Sequence, residues 1–345
     1  MKKSRVIPIC LLMLVGCSGN VKKEKIDFRT AIGRLQEQER DLADFDRIGD
    51  VTEIKKMYFD YSSKFDDSET SIVAISAENL RIETASSGWV NATNGNDLAA
   101  YSSFEGKKLS LSYGQIDETW NNISLKSYLS DSNLYIDLSN RELKQALISL
   151  GILPESCPDK VFTPVDFGEV EFPILSQEII DEWTKGSGES DSTEIFDSAM
   201  QSDGFIETIL ENFTEVYVFD EGKDFEFNLN ITKDSLVGLM REIVGETGDE
   251  SFVDILEESL TSGGFEYIKA SFVIDDYRMK KWSLDLNIGY STAIVEEGTS
   301  LSSAYEKFKW IFKAEAKMSY GNEVVVPSLS DYDDFTRIDL LGSGD

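Results

Sequence analysis

Two stretches of alternating apolar and polar residues constrain the fold of this chain most strongly. Between Lys280 and Tyr290 the even positions from Trp282 onward are apolar and most odd positions are polar, and the same alternation returns in residues 308–320. A period of two is typical of a β-strand with one buried and one solvated face. With residues 265–275 as a third strand, the region predicts three long antiparallel strands whose apolar face lies against helices or a ligand.

The N-terminal half predicts a mixture of helices and hairpins. Residues 28–61 carry apolar side chains at spacings of three and four, which predicts a helix interrupted near Gly49. Strands are predicted at 71–76, 80–84, 107–113, 121–129 and 134–138. Ser139 and Glu142 then form a capping-box pattern, which predicts a helix to about residue 150.

A second hairpin followed by a helix is predicted at 214–231 and 232–244. It is either a copy of the first hairpin and helix or an independent unit of the same kind. Between the two units, four prolines and a polar run at 184–194 predict an irregular excursion over about 151–194. Helices are also predicted at 195–212 and 250–260. Residues 28–340 are therefore expected to form a single α+β domain.

The first 16 residues have the pattern of a signal peptide. Basic residues precede an apolar run at 6–15 that is too short to span a hydrocarbon core of about 30 Å. The run ends in LVGC, which resembles the lipobox of bacterial lipoproteins, with Cys17 as the lipidated residue; a signal peptide with an unrelated cysteine is the alternative. We expect residues 17–27 to be a flexible tether and two acyl chains to anchor the protein extracytoplasmically in the bacterial cell envelope.

Composition excludes several classes of function. The chain carries 64 acidic and 33 basic residues, for a net charge of −31, which makes nucleic acid an unsuitable partner. It contains no histidine, which excludes Ser-His-Asp and Cys-His nucleophiles and His-bearing metal sites. Cys10 would leave with the signal peptide, so Cys157 is expected to be an unpaired, partly buried thiol. No cofactor or metal is predicted.

A resemblance to a known family follows from the order of these elements. Long hairpins, a helix after such a hairpin, and the terminal segment VVVPSLSDYDDF together resemble the LolA-like superfamily, including lipoproteins of the LppX and LprG type. The resemblance covers residues 28–338 and is strongest over 213–335. It implies a strongly curved antiparallel sheet, a half-barrel, packed against helices around an apolar cavity that in some relatives holds acyl chains. The length and the proline-rich interval depart from that pattern.

The first functional hypothesis is a non-enzymatic carrier of a hydrophobic ligand, such as an acyl chain or lipid. Alternate residues of the predicted strands would line its pocket, although each of them also fits an ordinary core. The candidates are Phe225, Phe227, Leu229, Phe272, Ile274, Trp282, Leu284, Leu286, Trp310 and Phe312.

Two other hypotheses remain open from the sequence. The protein could be an envelope adaptor or structural lipoprotein that binds another envelope protein through its acidic surface. Catalysis by acid pairs such as Asp275-Asp276 or Asp333-Asp334 is disfavoured, because adjacent strand residues point to opposite faces. Residues 44–49 begin like a calcium-binding loop, but Lys55 stands where the bidentate glutamate belongs, so no calcium site is predicted.

Overall fold

The computed structural model describes residues 23–38, 41–65, 68–114, 116–168, 170–176, 210–219, 223–245, 250–275, 277–293, 305–329 and 333–338. These residues form one large, strongly curved sheet that does not close on itself, together with a few helices, so the fold is a mostly-sheet α+β fold. The strands are β1 Glu24–Ile26, β2 Arg47–Phe65, β3 Ser68–Ser87, β4 Ala99–Tyr113, β5 Ile116–Ser130, β6 Asn133–Asp137, β7 Lys160–Pro164, β8 Thr214–Phe219, β9 Asp224–Thr232, β10 Tyr267–Asp275, β11 Arg278–Ala293, β12 Tyr305–Tyr320 and β13 Thr336–Arg337.

Neighbouring strands of the sheet are mostly neighbours in sequence. The strand order is β1-β8-β9-β10-β11-β12-β2-β3-β4-β5-β6-β7-β13, and all neighbours pair antiparallel except β7 and β13, which are parallel. Sequential antiparallel pairing is the arrangement that short hairpin connections produce. At the middle of the sheet β12 pairs with β2, so the two halves of the chain meet there.

The three predicted C-terminal strands are confirmed as β10, β11 and β12. Leu284 of β11 lies opposite Ala314 of β12, and Leu286 lies opposite Phe312. Because directly opposed residues share a face, the apolar positions of both strands point to the same side. The alternation in the sequence therefore predicted both the strands and the face that they share.

The helix predicted over residues 28–61 was wrong beyond its first third. Helix α1 ends at Glu37, and a strand of 19 residues, β2, begins at Arg47. Ile54 and Met57 have the spacing of three that indicates a helix. In the sheet, however, β12 leaves Lys55 without a partner, and such a β-bulge inserts one residue into the alternation of a strand.

The same irregularity continues across the next three strands. The Cα pairing skips Lys55 of β2, Asn79 of β3, Lys107 of β4 and Asn122 of β5 at one level of the sheet. Asn79 and Asn122 have positive φ values of 51° and 52°, which asparagine adopts more readily than most residues. Apolar residues on either side of this level are therefore three positions apart rather than two.

Side chains cap several of the described helices. They are α1 Phe28–Glu37, α2 Arg141–Ser149, α3 Lys233–Gly245 and α4 Glu250–Gly263, and the last confirms the helix predicted at 250–260. Thr232 Oγ1 accepts a hydrogen bond from the Ser235 amide at 3.2 Å at the start of α3. Ser139 was the wrong cap for α2, because Asn140 accepts the bond from the Leu143 amide at 2.8 Å.

Both predicted hairpin-and-helix units are present, as β5-β6-α2 and β8-β9-α3. They differ in packing. Helix α2 lies on the sheet, where Ala146 packs with Trp120 and Ile123. Helix α3 packs instead on α4, and their cluster reaches the sheet at Tyr290 of β11. The two units therefore share their order of elements but not their environment.

Two predicted irregular segments contain strands. The interval 151–194 includes β7, whose Val161 is fully buried beside Cys157. β1 lies within residues 17–27, which were predicted to be a tether, and pairs with β8. The signal peptide, Cys17 and most of the helix predicted at 195–212 lie outside the described residues; residues 210–213 are helical.

Candidate functional site

A row of directly opposed residues shows that α1 and α2 lie on the same face of the sheet. In sheet order, the row is Val216, Phe227, Phe272, Trp282, Ala316, Thr52, Ile82, Phe104 and Leu125. Phe272 packs against the cluster that contains α1, and Phe104 packs against the cluster that contains α2. Because opposed residues share a face, we call the side that bears both helices the inner face.

Helix α1 fills one end of the inner face. Ala31 of α1 and Phe225 of β9 are both fully buried in one cluster over β8, β9 and β10. Phe28 meets Phe227 edge-on, with ring centroids 6.1 Å apart. An edge-to-face contact at this distance is a favourable aromatic geometry. This end of the sheet is therefore close-packed core.

Helix α2 and the segment after it fill the other end. Ala146 of α2 packs on Trp120 and Ile123 of β5, and both of these are buried. Cys157 packs beside Val161 of β7, so its thiol is a core side chain. The expectation of a buried cysteine is confirmed.

Between these two ends lies an apolar surface on β11, β12, β2 and β3. None of its residues belongs to the four apolar clusters in which the described helices are packed. Trp310 is 38% exposed. We call this surface the central apolar face; it comprises Ile54, Met57, Phe59, Ile75, Ala77, Leu80, Ile82, Trp282, Leu284, Leu286, Ile288, Phe308, Trp310, Phe312, Ala314 and Ala316.

Small residues alternate with large ones on the central apolar face. Ala314 and Ala316 lie opposite Leu284 and Trp282, so the large side chains of β11 face small ones on β12. At the border with β4, a Cβ added to Gly106 would lie 2.5 Å from Leu80 Cδ2. Neighbouring side chains fill the space beside these small residues, since Ala314 and Ala316 are only 3% and 1% exposed and Leu80 occupies the space over Gly106.

All ten ligand candidates from the sequence lie on the inner face, but the structure divides them into two groups. Phe225, Phe227, Phe272 and Ile274 lie in or against the cluster under α1. Trp282, Leu284, Leu286, Trp310 and Phe312 lie on the central apolar face, and Leu229 lies on β9 opposite Ala270. The first group is core; in the second group Trp310 is exposed, Trp282, Leu284 and Phe312 are half-buried, and Leu286 is buried.

The sequence pattern does not reveal the half of the central apolar face that lies on β2 and β3. Met57 and Phe59 were assigned to a helix, and Ile75 and Leu80 were assigned to short strands without a role. The alternation of Met57, Phe59 and Tyr61 is the signal that would have found β2, once a bulge at Lys55 is allowed.

The inner face becomes polar one level beyond Thr52. We call this row the polar strip; it consists of Asp50, Thr84, Ser102 and Ser127, which lie opposite one another on β2, β3, β4 and β5. Thr52 Oγ1 donates a hydrogen bond to Asp50 Oδ2 at 2.6 Å. Asp50 Oδ1 is shielded from solvent and accepts no hydrogen bond from any described residue.

Polar and aromatic contacts hold the same end of the central strands. Asp44 Oδ2 accepts a hydrogen bond from Tyr277 at 2.9 Å and lies 3.0 Å from Arg278 Nη1. Burial raises the pKa of Tyr277, the Asp41 amide that donates to its hydroxyl lowers it, and the bond to Asp44 raises it further. The Phe45 ring contacts the Tyr277 ring, with centroids 5.9 Å apart.

The outer face carries charges of both signs. Lys55 pairs with Glu315 at 2.9 Å, and this hydrogen bond and charge lower the pKa of Glu315. Lys281 lies directly opposite Lys317. The outer face of β11 and β12 is therefore mixed in charge, although the chain as a whole is strongly acidic.

The acid pairs have ordinary surroundings where they are described. Asp275 lies 3.6 Å from Lys280, and Asp334 lies 3.1 Å from Lys160. Within the described ranges, no group of three or more histidine, cysteine, aspartate or glutamate side chains is placed to hold a metal ion. None of the described helices is long and apolar enough to cross a bilayer. No family model matches the chain, and no curated protein resembles it at a significant level.

Proposed function

We propose that the protein is a non-enzymatic extracytoplasmic lipoprotein that binds or carries a hydrophobic ligand, an acyl chain or lipid, on the central apolar face. One observation carries the proposal: an apolar surface four strands wide lies between two helix-covered ends and outside every helix-containing cluster of the described residues. Exposed apolar side chains mark binding sites when they are contiguous, and Trp310 on this surface is 38% exposed.

The chemistry of the surface suits an acyl chain. Its side chains are aliphatic or aromatic, and burial of each methylene is worth about 0.8 kcal/mol. Ten methylenes would therefore contribute about 8 kcal/mol before the cost of immobilising the ligand is subtracted. Affinity would come from dispersion and burial along the surface, with few directional contacts.

The finer fold proposal is a half-barrel of the LolA type. An unclosed, strongly curved antiparallel sheet, long hairpins and a helix directly after β5-β6 support it. The proposed anchor is Cys17. Since β1 begins seven residues after Cys17, the sheet edge at β1 would lie within about 25 Å of the lipidated residue.

Lipid analysis of the Cys17→Ser variant tests ligand and anchor together. We expect this variant to leave the membrane fraction and to retain lipid that mass spectrometry detects after extraction. A variant that stays in the membrane fraction as the parent does would contradict the anchor. Absence of copurifying and exchangeable lipid would contradict the ligand proposal, and a stable crosslinked protein partner would then favour the adaptor.

A matched pair of variants on β11 tests whether the ligand binds on the central apolar face. Leu284 lies on the central apolar face, and its neighbour Ser283 points to the outer face, opposite Glu315. We expect Leu284→Lys to abolish lipid retention, because an unpaired ammonium on this surface cannot be desolvated cheaply. Ser283→Lys should retain lipid as the parent does. Equal retention by both variants would place the ligand elsewhere.

A further inference from the structure

We infer that the ligand of the central apolar face is an amphiphile with a non-anionic, hydroxyl-bearing head group that hydrogen-bonds to the polar strip. This inference rests on the proposed function, because it concerns the head-group end of the same site. It names the class of ligand that the side chains of that end can recognise.

The polar strip lies on the same face of the sheet as the central apolar face and directly adjoins it. Asp50 is two residues from Thr52 on β2, and Thr52 belongs to the row that includes Trp282 and Ile82. With neighbouring strands about 4.8 Å apart, the strip spans about 14 Å across four strands. An acyl chain lying along the apolar side chains would therefore bring its head group to these polar ones.

The strip has hydrogen-bonding capacity that the described part of the chain does not use. Asp50 Oδ1 is removed from solvent and accepts no hydrogen bond from a described residue. Thr84, Ser102 and Ser127 form no side-chain hydrogen bond with any described residue. An acceptor left unpaired away from water is costly, so a donor supplied by a ligand would be favoured there.

The charges at this end disfavour an anionic head group. Asp50 is the charged member of the strip, and a second anion beside it would be repelled. Both nearby cations already face a carboxylate: Arg278 pairs with Asp44 at 3.0 Å, which leaves its buried Nε without a partner among the described residues, and Lys280 lies 3.6 Å from Asp275. Hydroxyl groups, which both donate and accept, match a carboxylate next to three hydroxyls.

The test compares two ligands with the same acyl chain, a monoacylglycerol and a fatty acid, as competitors of a fluorescent acyl probe on the Cys17→Ser protein. We expect the monoacylglycerol to bind about tenfold more tightly than the fatty acid. Asp50→Asn should bring this ratio of affinities close to one, mainly by strengthening the binding of the fatty acid. Asp60→Asn is the matched control, because Asp60 lies on the same strand with its carboxylate hydrogen-bonded by Tyr58 at 3.0 Å.

A double variant, Ser102→Ala with Ser127→Ala, keeps the carboxylate and removes two hydroxyls. We expect the double variant to bind the monoacylglycerol severalfold more weakly and to bind the fatty acid with unchanged affinity. Equal affinities for the two ligands in the parent, or a ratio that Asp50→Asn does not change, would overturn the inference while the proposed function stands. If the acyl probe does not bind the parent protein, the proposed function fails.

Discussion

Phe227 and Phe312 lie on the same face of the same sheet and differ in what lies over them. Phe227 is 7% exposed and meets Phe28 of α1, whereas Phe312 is only partly buried and belongs to no helix-containing cluster of the described residues. Both residues occupy apolar positions of an alternating strand. The comparison teaches that alternation determines the face of a residue and that the elements packed on that face determine its role.

The largest expected effect is a difference in lost stability between a variant under α1 and a variant on the central apolar face. Phe225 is fully buried under α1, so Phe225→Ala should destabilise the protein by about 3–5 kcal/mol, through lost burial and a cavity. Phe312→Ala should cost less than about 2 kcal/mol, because its side chain is partly exposed already. Urea denaturation followed by circular dichroism measures both. Equal losses would mean that the central apolar face is packed as tightly as the end under α1.

An intermediate effect is expected at the end of the central strands, where Tyr320 donates a hydrogen bond to the Met279 carbonyl at 3.0 Å. Tyr320→Phe should cost about 1 kcal/mol at neutral pH. Burial raises the pKa of Tyr320, with a smaller lowering by Arg278 and a smaller raising by Asp50.

The pH dependence of this hydrogen bond has a definite sign. A raised pKa in the folded state stabilises the fold below the ordinary tyrosine pKa of about 10, and this contribution is lost as the pH rises through the higher folded value. The unfolding free energies of the parent and of Tyr320→Phe should therefore differ at pH 8 and converge as the pH rises above 10. A difference that stays constant with pH would show that Tyr320 does not titrate in this range.

The smallest expected effect is a gain in stability rather than a loss. A Cβ added to Gly33 of α1 would meet no atom within 4 Å, so Gly33→Ala should stabilise the protein by about 0.5–1 kcal/mol through helix propensity. Gly238→Ala in α3 is equally open and should act similarly. Thermal denaturation measures both, and lipid retention should be unchanged in each. A change of retention in Gly33→Ala alone would indicate that α1 takes part in ligand binding.

The sequence was a good guide where alternation was regular. β11 and β12 were predicted with their apolar face because no residue interrupts the pattern between Trp282 and Tyr290 or between Phe308 and Tyr320. β2 was not predicted, because the extra residue Lys55 turns a spacing of two into a spacing of three. A bulge is a property of the pairing between two strands, and a single strand does not reveal it.

The candidate site was predictable only in part, for a different reason. The ten candidates were assigned to the right face, but nothing in the local pattern distinguishes Phe225 from Trp310. That distinction depends on α1, whose contact with β8 and β9 joins residues about 190 positions apart in the sequence. The polar strip was missed because Asp50 had been assigned to a helix, so that its position opposite Thr84 was not visible.

The pairing of β2 with β12 has a consequence for the biogenesis of the protein. β2 can form a hairpin with β3 as soon as both have been synthesised, but its other edge stays unpaired until a strand about 250 residues later in the chain is available. Pairing over such a separation is slow, and an unpaired strand edge with apolar side chains promotes aggregation. We therefore expect nascent or truncated chains that lack β12 to require a holding chaperone.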